Sequence, residues 1–310
     1  MSRDAFSHDP RTESERDSHA SSLQGNAPIS DTSRDVEVQP ADRDGGSFRV
    51  RLHADRKSEA LDTPRLRTLG KRAYFLRESE LQTLIEVGTF RAVATQDLAR
   101  IGYAGDAERM ERETRRLGQQ LLLTEKVVRV DQNKTVRLFA LTKRGARLAR
   151  SSGAVPEGQN IFHGFVKPRE AKHDADLYRL YHAHAAKIEQ AGGRVSRVIL
   201  DYELKRNLNR ELAGLGPHQL TNEAREQIAE RHGLALVNGK IPVPDMRLEY
   251  NTADMEHRHV DLELATRSYR PRALAEKANA GFSLYSRRED APRLRRVMDE
   301  REITAEILSL

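Results

Sequence analysis

Two β-branched runs, Val127–Val130 and Val136–Leu141, flank the polar tetrapeptide Asp131-Gln132-Asn133-Lys134. That pattern reads as a β-hairpin. It follows a stretch of helical period, which restricts what this part of the chain can build. Ser79 with Gln82 three residues later fits a capping box, and Leu81, Leu84 and Ile85 supply one apolar face. Thr95 opens a second short helix that carries Leu98 and Ile101 and stops at Gly102. Asp106 is a favourable N-cap for a third, running to about Leu123. Met110, Thr114, Leu117 and Leu121 share one face of it. Arg109, Arg112, Arg116 and Gln119 share the opposite face, with Arg115 between them.

Charge sharpens this picture. Residues 1–70 hold 11 Lys and Arg against 13 Asp and Glu, whereas residues 71–150 hold 17 against 10. The basic excess therefore sits on one segment, where a polyanion docks. Three helices followed by a hairpin is the order of a winged helix-turn-helix, whose third helix enters the DNA major groove. Arginine and glutamine can bond base edges bidentately, and arginine also neutralises phosphate. The expected partner is double-stranded DNA, met by Arg109, Arg112, Arg115, Arg116 and Gln119. Arg129, Lys134 and Arg137 around the wing and Lys143 and Arg144 at the next helix support them. A solvated arginine row paired with Glu108, Glu111 and Glu113 is the plainer account of an isolated helix. The hairpin and the local charge favour DNA.

The expected fold class is α/β (α+β). Residues 1–66 are rich in Ser, Asp, Arg, Gly and Pro without a sustained period, and read as a disordered arm, with a weak strand signal at Phe48–Leu52. Residues 70–150 form the winged helix, 151–165 a linker, and 166–310 an α/β domain with a helical insertion at about 206–233. In that second domain His173–Gln190 is helical, its apolar positions being Leu177, Leu180, Tyr181, His184 and Ile188. Val195–Lys205 reads as a strand and Thr221–His232 as a helix. Leu234–Val243 reads as a hairpin about Asn238-Gly239, and Asp245–Tyr250 and His259–Ala265 as strands. Pro271–Tyr285 is expected as a helix, Arg295–Met298 as a strand, and Asp299 as the cap of a terminal helix.

Pro244-Asp245 and Glu263 on a later strand have the layout of a PD-(D/E)xK nuclease site. There two carboxylates hold Mg2+ through oxygen and the metal activates water. Asp261 shares a strand face with Glu263 and is a third candidate ligand. Ala265 stands where the motif has lysine, and Lys277, one helix later, can return an amine. The candidate catalytic set is thus Asp245, Glu263 and Lys277, and the missing lysine favours a core kept for binding or assembly. His257 and His259 lack a third ligand at convincing spacing and read as surface or core residues.

The segment Leu141-Thr142-Lys143-Arg144-Gly145, His173-Asp174, Pro244-Asp245, and Glu263 followed by the Lys277 helix together resemble the replication-relaxation family over roughly residues 75–310. These proteins are typically carried by bacterial plasmids and integrative elements. The resemblance implies a winged helix joined to a restriction-endonuclease-like domain, a role in plasmid replication or mobilisation, and a relaxase or replication initiator as partner. The insertion at 206–233, the N-terminal arm and Ala265 depart from the pattern.

The chain has no cysteine, which fits the reducing cytoplasm. No apolar run reaches the roughly 18 residues of a membrane span, and the N-terminus has no apolar signal-like core. The expectation is a cytoplasmic protein without membrane contact.

Overall fold

The computed structural model describes residues 62–309 apart from 132–133, 166–167, 217, 302 and 304. The arm through residue 61 and the strand at Phe48–Leu52 lie outside the described residues. The chain is a mixture of helices and sheets. A strand already begins at Arg65, inside the stretch through residue 66 that composition reads as disordered. β1 (Arg65–Leu69) and β2 (Arg72–Leu76) form an antiparallel hairpin, turning at Gly70 with φ of 58°.

α1 (Glu78–Thr89) starts at Arg77, not Ser79. Glu80 Oε2 accepts the Arg77 amide at 2.9 Å, and Ser79 instead donates its hydroxyl to Asp62 at 2.5 Å. Leu81, Leu84 and Ile85 are buried as their spacing requires. β3 (Val93–Ala94) leads into α2 (Thr95–Asp97), which continues as a π-helical turn at Leu98–Gly102. α3 (Ala107–Gln119) is capped by Asp106, whose Oδ1 accepts the Arg109 amide at 2.9 Å. The helix ends four residues before the expected Leu123. Leu121 takes a left-handed φ of 57°, so its side chain turns out to solvent rather than joining Met110, Thr114 and Leu117.

β4 (Leu123–Asp131) and β5 (Lys134–Leu141) make the expected hairpin, and β3 pairs along β5 to complete a sheet ordered β3-β5-β4. α4 (Lys143–Ser151) is capped by Thr142, whose hydroxyl accepts the Gly145 amide at 3.0 Å. Gly145 is required by close approach: a Cβ there would stand 2.0 Å from the Leu122 carbonyl oxygen.

Residues 152–165, read from sequence as the linker, contain no helix or strand but are packed. The buried Gln159 side chain accepts the Val198 amide at 2.9 Å and donates to the Val198 carbonyl at 3.0 Å. The Phe162 amide donates to the Gly88 carbonyl at 2.7 Å. Ile161 lies over Gly88, which has no room for a Cβ. One hydrophobic cluster runs from Tyr74 through Phe90 to Tyr178, Tyr181 and Tyr285, and the Phe90 ring meets those of Tyr178 and Tyr181 at 5.3 and 5.1 Å.

α5 (Pro168–Gln190) buries Leu177, Leu180, Tyr181 and Ile188. β6 (Arg194–Leu200) ends five residues before the expected Lys205, because Asp201 starts α6 (Asp201–Ala213). α7 (Asn222–Arg231) follows, capped by Thr221. The hairpin expected at Leu234–Val243 reduces to one bridge, Val237 to Lys240, about Asn238-Gly239, both at positive φ. β7 (Met246–Asn251) and β8 (His257–Ala265) are strands as expected. The helix expected at Pro271–Tyr285 splits into α8 (Pro271–Asn279) and β9 (Ser283–Ser286), broken by Gly281 at φ of 81°. Arg295–Met298 belongs to α9 (Ala291–Glu300), whose buried Leu294 and Met298 sit one turn apart. Asp299 lies inside that helix and caps nothing, and β10 (Ile307–Ser309) closes the chain.

The second sheet has the order β10-β9-β8-β7-β6. β6, β7 and β8 form an antiparallel meander, while β9 pairs with β8, and β10 with β9, in parallel. α8 makes the crossover that a parallel β8–β9 pair needs. No helix among the described residues is long and apolar enough to cross a membrane.

Candidate functional site

Two regions hold the residues singled out by sequence. On α3, residues three and four apart share a face, and burial decides which row is outward. Glu108, Arg112, Arg115 and Gln119 are exposed. Arg109 is not among them: it is 8% exposed. Its Nε donates to Glu113 Oε1 at 2.9 Å and its Nη2 to Asp62 Oδ2 at 3.1 Å. Tyr103 donates its phenol proton to Glu113 Oε2 at 2.9 Å. Arg109 is therefore a core residue that ties β1's approach and the π-helical turn to α3, and the expected groove contact is withdrawn. Arg116 turns sideways, its Nε 2.7 Å from Oε1 of the buried Glu80.

Arg137 is also occupied. It bonds Glu111, and its Nε lies 3.4 Å from Glu125, so it bridges α3 to the hairpin instead of facing outward. Arg129 is exposed on β4, Lys134 opens β5, and Lys143 and Arg147 are exposed on α4 with Arg144 half-buried. The exposed cations on these elements include Arg112, Arg115, Arg129, Lys143 and Arg147, with Arg144 half-buried beside them and Gln119 on the same row of α3 as the first two.

The second region lies where β7 and β8 pass the N-terminal part of α5. Asp245 precedes β7, and its Oδ2 accepts the Leu264 amide at 2.9 Å while Oδ1 stands 3.4 Å from His173 Nε2. Glu263, fully buried on β8, accepts the Asp245 amide at 3.1 Å through Oε2. Its Oε1 receives the Tyr269 phenol and lies 2.9 Å from Lys277 Nζ. Lys277 also donates to the Val243 carbonyl at 2.6 Å. The helix α8 thus does return an amine to the carboxylates, as the spacing implied.

Burial by itself would raise the Asp245 carboxyl, but the hydrogen bond and charge of His173, the Leu264 amide and Lys277 bring it below its usual value. Burial would lower His173, and Asp245, joined by Asp174 and Asp201, raises it instead. Glu263 is pushed up by burial and by the Asp245 charge, against the pull of Lys277 and Tyr269. Tyr269 is pushed up by burial and by Glu263. The arrangement is an alternating set of acids and bases holding one another's charge.

Asp261 does not join it. Its two oxygens take a bidentate pair from Arg247 at 2.6 and 2.8 Å, and Arg247 also bonds the His232 and Gly233 carbonyls. With Asp261 committed, Asp245 and Glu263 are the carboxylates left. All four of their oxygens already take a protein donor. Mg2+ asks for several oxygen ligands in near-octahedral order, and among the described residues no group of three His, Asp or Glu side chains is arranged to hold a metal. This donor set does not fit Mg2+.

Tyr269 and the pairing of His173 with Asp245 escaped the sequence reading. Tyr269 lies in a non-periodic turn after β8, and His173 was legible as a residue at a helix start and as part of the family resemblance, but not as a partner of Asp245. Comparison with family models, with curated proteins and with solved structures finds no match to this chain.

Proposed function

We propose that this protein binds double-stranded DNA through a winged helix-turn-helix spanning α1 to β5, with α3 as the recognition helix. The observation that carries the reading is the exposed row Arg112, Arg115 and Gln119 on a helix followed directly by a hairpin, in the most basic stretch of the chain. Side chains of this type at this spacing can reach base edges and phosphates from one helix face. Arg112→Ala with Arg115→Ala should weaken duplex binding sharply while leaving the fold intact. Unchanged affinity in that variant would remove α3 as the binding helix.

The second half is proposed to be a restriction-endonuclease-like domain that no longer works as a nuclease. A helix, a three-stranded antiparallel meander, a crossover helix and a parallel fourth strand, with Asp245, Glu263 and Lys277 converging, support that relationship. His173 and Lys277 neutralise the two carboxylates, so the domain serves binding or assembly. Supercoiled plasmid incubated with the protein and Mg2+ is expected to stay intact. Nicking that is lost in Asp245→Ala would instead establish a metal-dependent endonuclease. The resemblance to the replication-relaxation family points the role to replication or mobilisation of a bacterial plasmid or mobile element, beside a relaxase or replication initiator. A transcriptional regulator whose second domain contacts a partner is the other role open to the same binding activity.

A further inference from the structure

A cleft of about 240 Å³ opens between residues 160–163 and the first turns of α6. Arg150, Phe162, Tyr202, Glu203 and Arg206 line it, and Arg91 reaches its two aromatic rings. Tyr202 is 52% exposed, although it is a large aromatic at the start of a helix. The Arg91 guanidinium carbon lies 6.0 Å from the Tyr202 ring centroid and 5.9 Å from that of Phe162. Arg206 lies 5.9 Å from the Tyr202 ring. Arg91 holds this position from a left-handed backbone, φ of 64°, without being glycine. Such conformations cost free energy and persist where the surrounding structure enforces them, often at binding sites.

Three guanidinium groups around two aromatic rings are more than a surface needs for solubility. The combination of flat π faces and cations is what unstacked nucleobases and their phosphates use. The volume is below the roughly 300–1,000 Å³ of pockets for drug-sized ligands, so it suits one flat base rather than a whole dinucleotide. Glu203 is 4% exposed. One of its oxygens bonds Arg197, and Oε2 has no hydrogen-bond partner. That oxygen is enclosed by protein atoms, so Glu203 closes off the cleft through its ion pair with Arg197. The cleft also adjoins the polar cluster. The Asp201 amide, one residue before Tyr202, donates to the Asp245 carbonyl at 3.0 Å. Arg91 Nε lies 3.6 Å from Asp174, the neighbour of His173.

We propose that this cleft takes one unpaired nucleotide of single-stranded DNA, its base on the Tyr202 ring and its phosphates against Arg150 and Arg206. Exposed Arg206 moves from the ring to the phosphate as the base arrives. The inference rests on the DNA-binding reading and deepens it: the preferred substrate is a duplex that carries a single-stranded segment, with α3 on the duplex and the cleft on the unpaired strand.

Fluorescence anisotropy on the full chain tests it with a blunt duplex and the same duplex bearing a dC tail, a dT tail or an abasic tail. The dC tail is expected to tighten binding roughly 5- to 150-fold, the range for one stacked base, and the abasic tail to add far less. Tyr202→Ala should erase the gain, Tyr202→Phe should keep it, and neither should change blunt-duplex affinity. Because Tyr202 is exposed, its truncation leaves the core unaltered. The dT tail is expected to give a gain similar to that of dC, since stacking on an aromatic ring tolerates any base, and a dT tail that binds no better than the abasic one would overturn stacking on Tyr202. A gain from the abasic tail equal to that from dC would overturn base stacking in the cleft. No gain from any tail, with the blunt duplex still bound, overturns the cleft proposal and leaves the α3 reading standing. Failure of every DNA to bind overturns both.

Discussion

Arg109→Met removes a guanidinium from between Glu113 and Asp62 while keeping much of the side chain's volume. Glu113 is 1% exposed, and would keep only the Tyr103 phenol among the bonds described above. Breaking a buried ion pair by deleting one partner costs about 3–5 kcal/mol, because the remaining charge is buried without compensation. The Arg109 side chain is about as hidden as Asp62's, at 10% and 13%, so little of that loss is recovered by water. For a folded unit of this size each kcal/mol corresponds to about 2–4 °C, and the midpoint of thermal unfolding should fall by about 6–20 °C. Circular dichroism melts of the wild type, Arg109→Met, Glu113→Gln and the double variant measure the effect and the coupling. The double variant should be less destabilised than the sum of the single ones, since Gln leaves no stranded charge. Duplex affinity measured well below the melting temperature should barely change. An unaltered melt accompanied by a large loss of DNA binding would refute the placement and return Arg109 to the row proposed to meet DNA.

Three further perturbations report on other parts of the fold. His173 is raised above its ordinary 6.5, so its contribution is complete below about pH 6.5 and is lost as pH rises through the higher folded value. Asp245 is lowered from 3.8, so its contribution is present above that value and is lost as pH falls through the depressed one. The pair therefore supports the fold most between about pH 4 and 6.5; urea titrations should show stability falling above that window, and His173→Gln should flatten the fall. Gly145→Ala should destabilise by more than the roughly 1 kcal/mol of helix propensity it gains, since its Cβ meets the Leu122 carbonyl; a higher urea midpoint would contradict the close packing. Leu121→Gly should raise stability by about 1 kcal/mol by relieving the left-handed backbone, with little packing lost from a side chain 59% exposed; a lower urea midpoint would count against this reading.

Local chemistry was the legible part of this chain. Asp106 marks a helix start by side-chain type, the hairpin is marked by β-branched runs, and β7 and β8 by alternation, and each stands where those signals put it. α2 does begin at Thr95, but Ala94 is its cap and the Thr95 hydroxyl bonds the Arg137 carbonyl. What failed depended on partners distant in sequence. Arg109 sits three residues from Arg112 and joins its row on a helical wheel, but Asp62, 47 residues upstream, and Tyr103 decide its direction. The Asp62 stretch itself lies in a charged, aperiodic region, where periodicity has nothing to report. Pro271–Tyr285 reads as one apolar helix because Phe282 and Tyr285 keep the helical spacing, and the break comes from Gly281's backbone. In the polar cluster, Asp245 and Glu263 were recoverable because a known motif spaces them, and Lys277 because it is the amine on the next helix. His173 and Tyr269 reach the same carboxylates only through the packing of α5 and of the turn after β8. The split between Asp261 and Glu263 was equally hidden. Alternation puts both on one strand face, yet Arg247 on the neighbouring strand claims the first.

The salt dependence of duplex binding tests the DNA-binding claim most directly. Each phosphate neutralised contributes about 0.9 to the slope of log affinity against log salt. Arg112→Ala with Arg115→Ala should therefore lower affinity and reduce that slope by up to about 1.8. Arg109→Met, folded at the temperature of measurement, should leave the slope unchanged. A double variant with wild-type affinity and slope would contradict the assignment of α3's outward row to DNA.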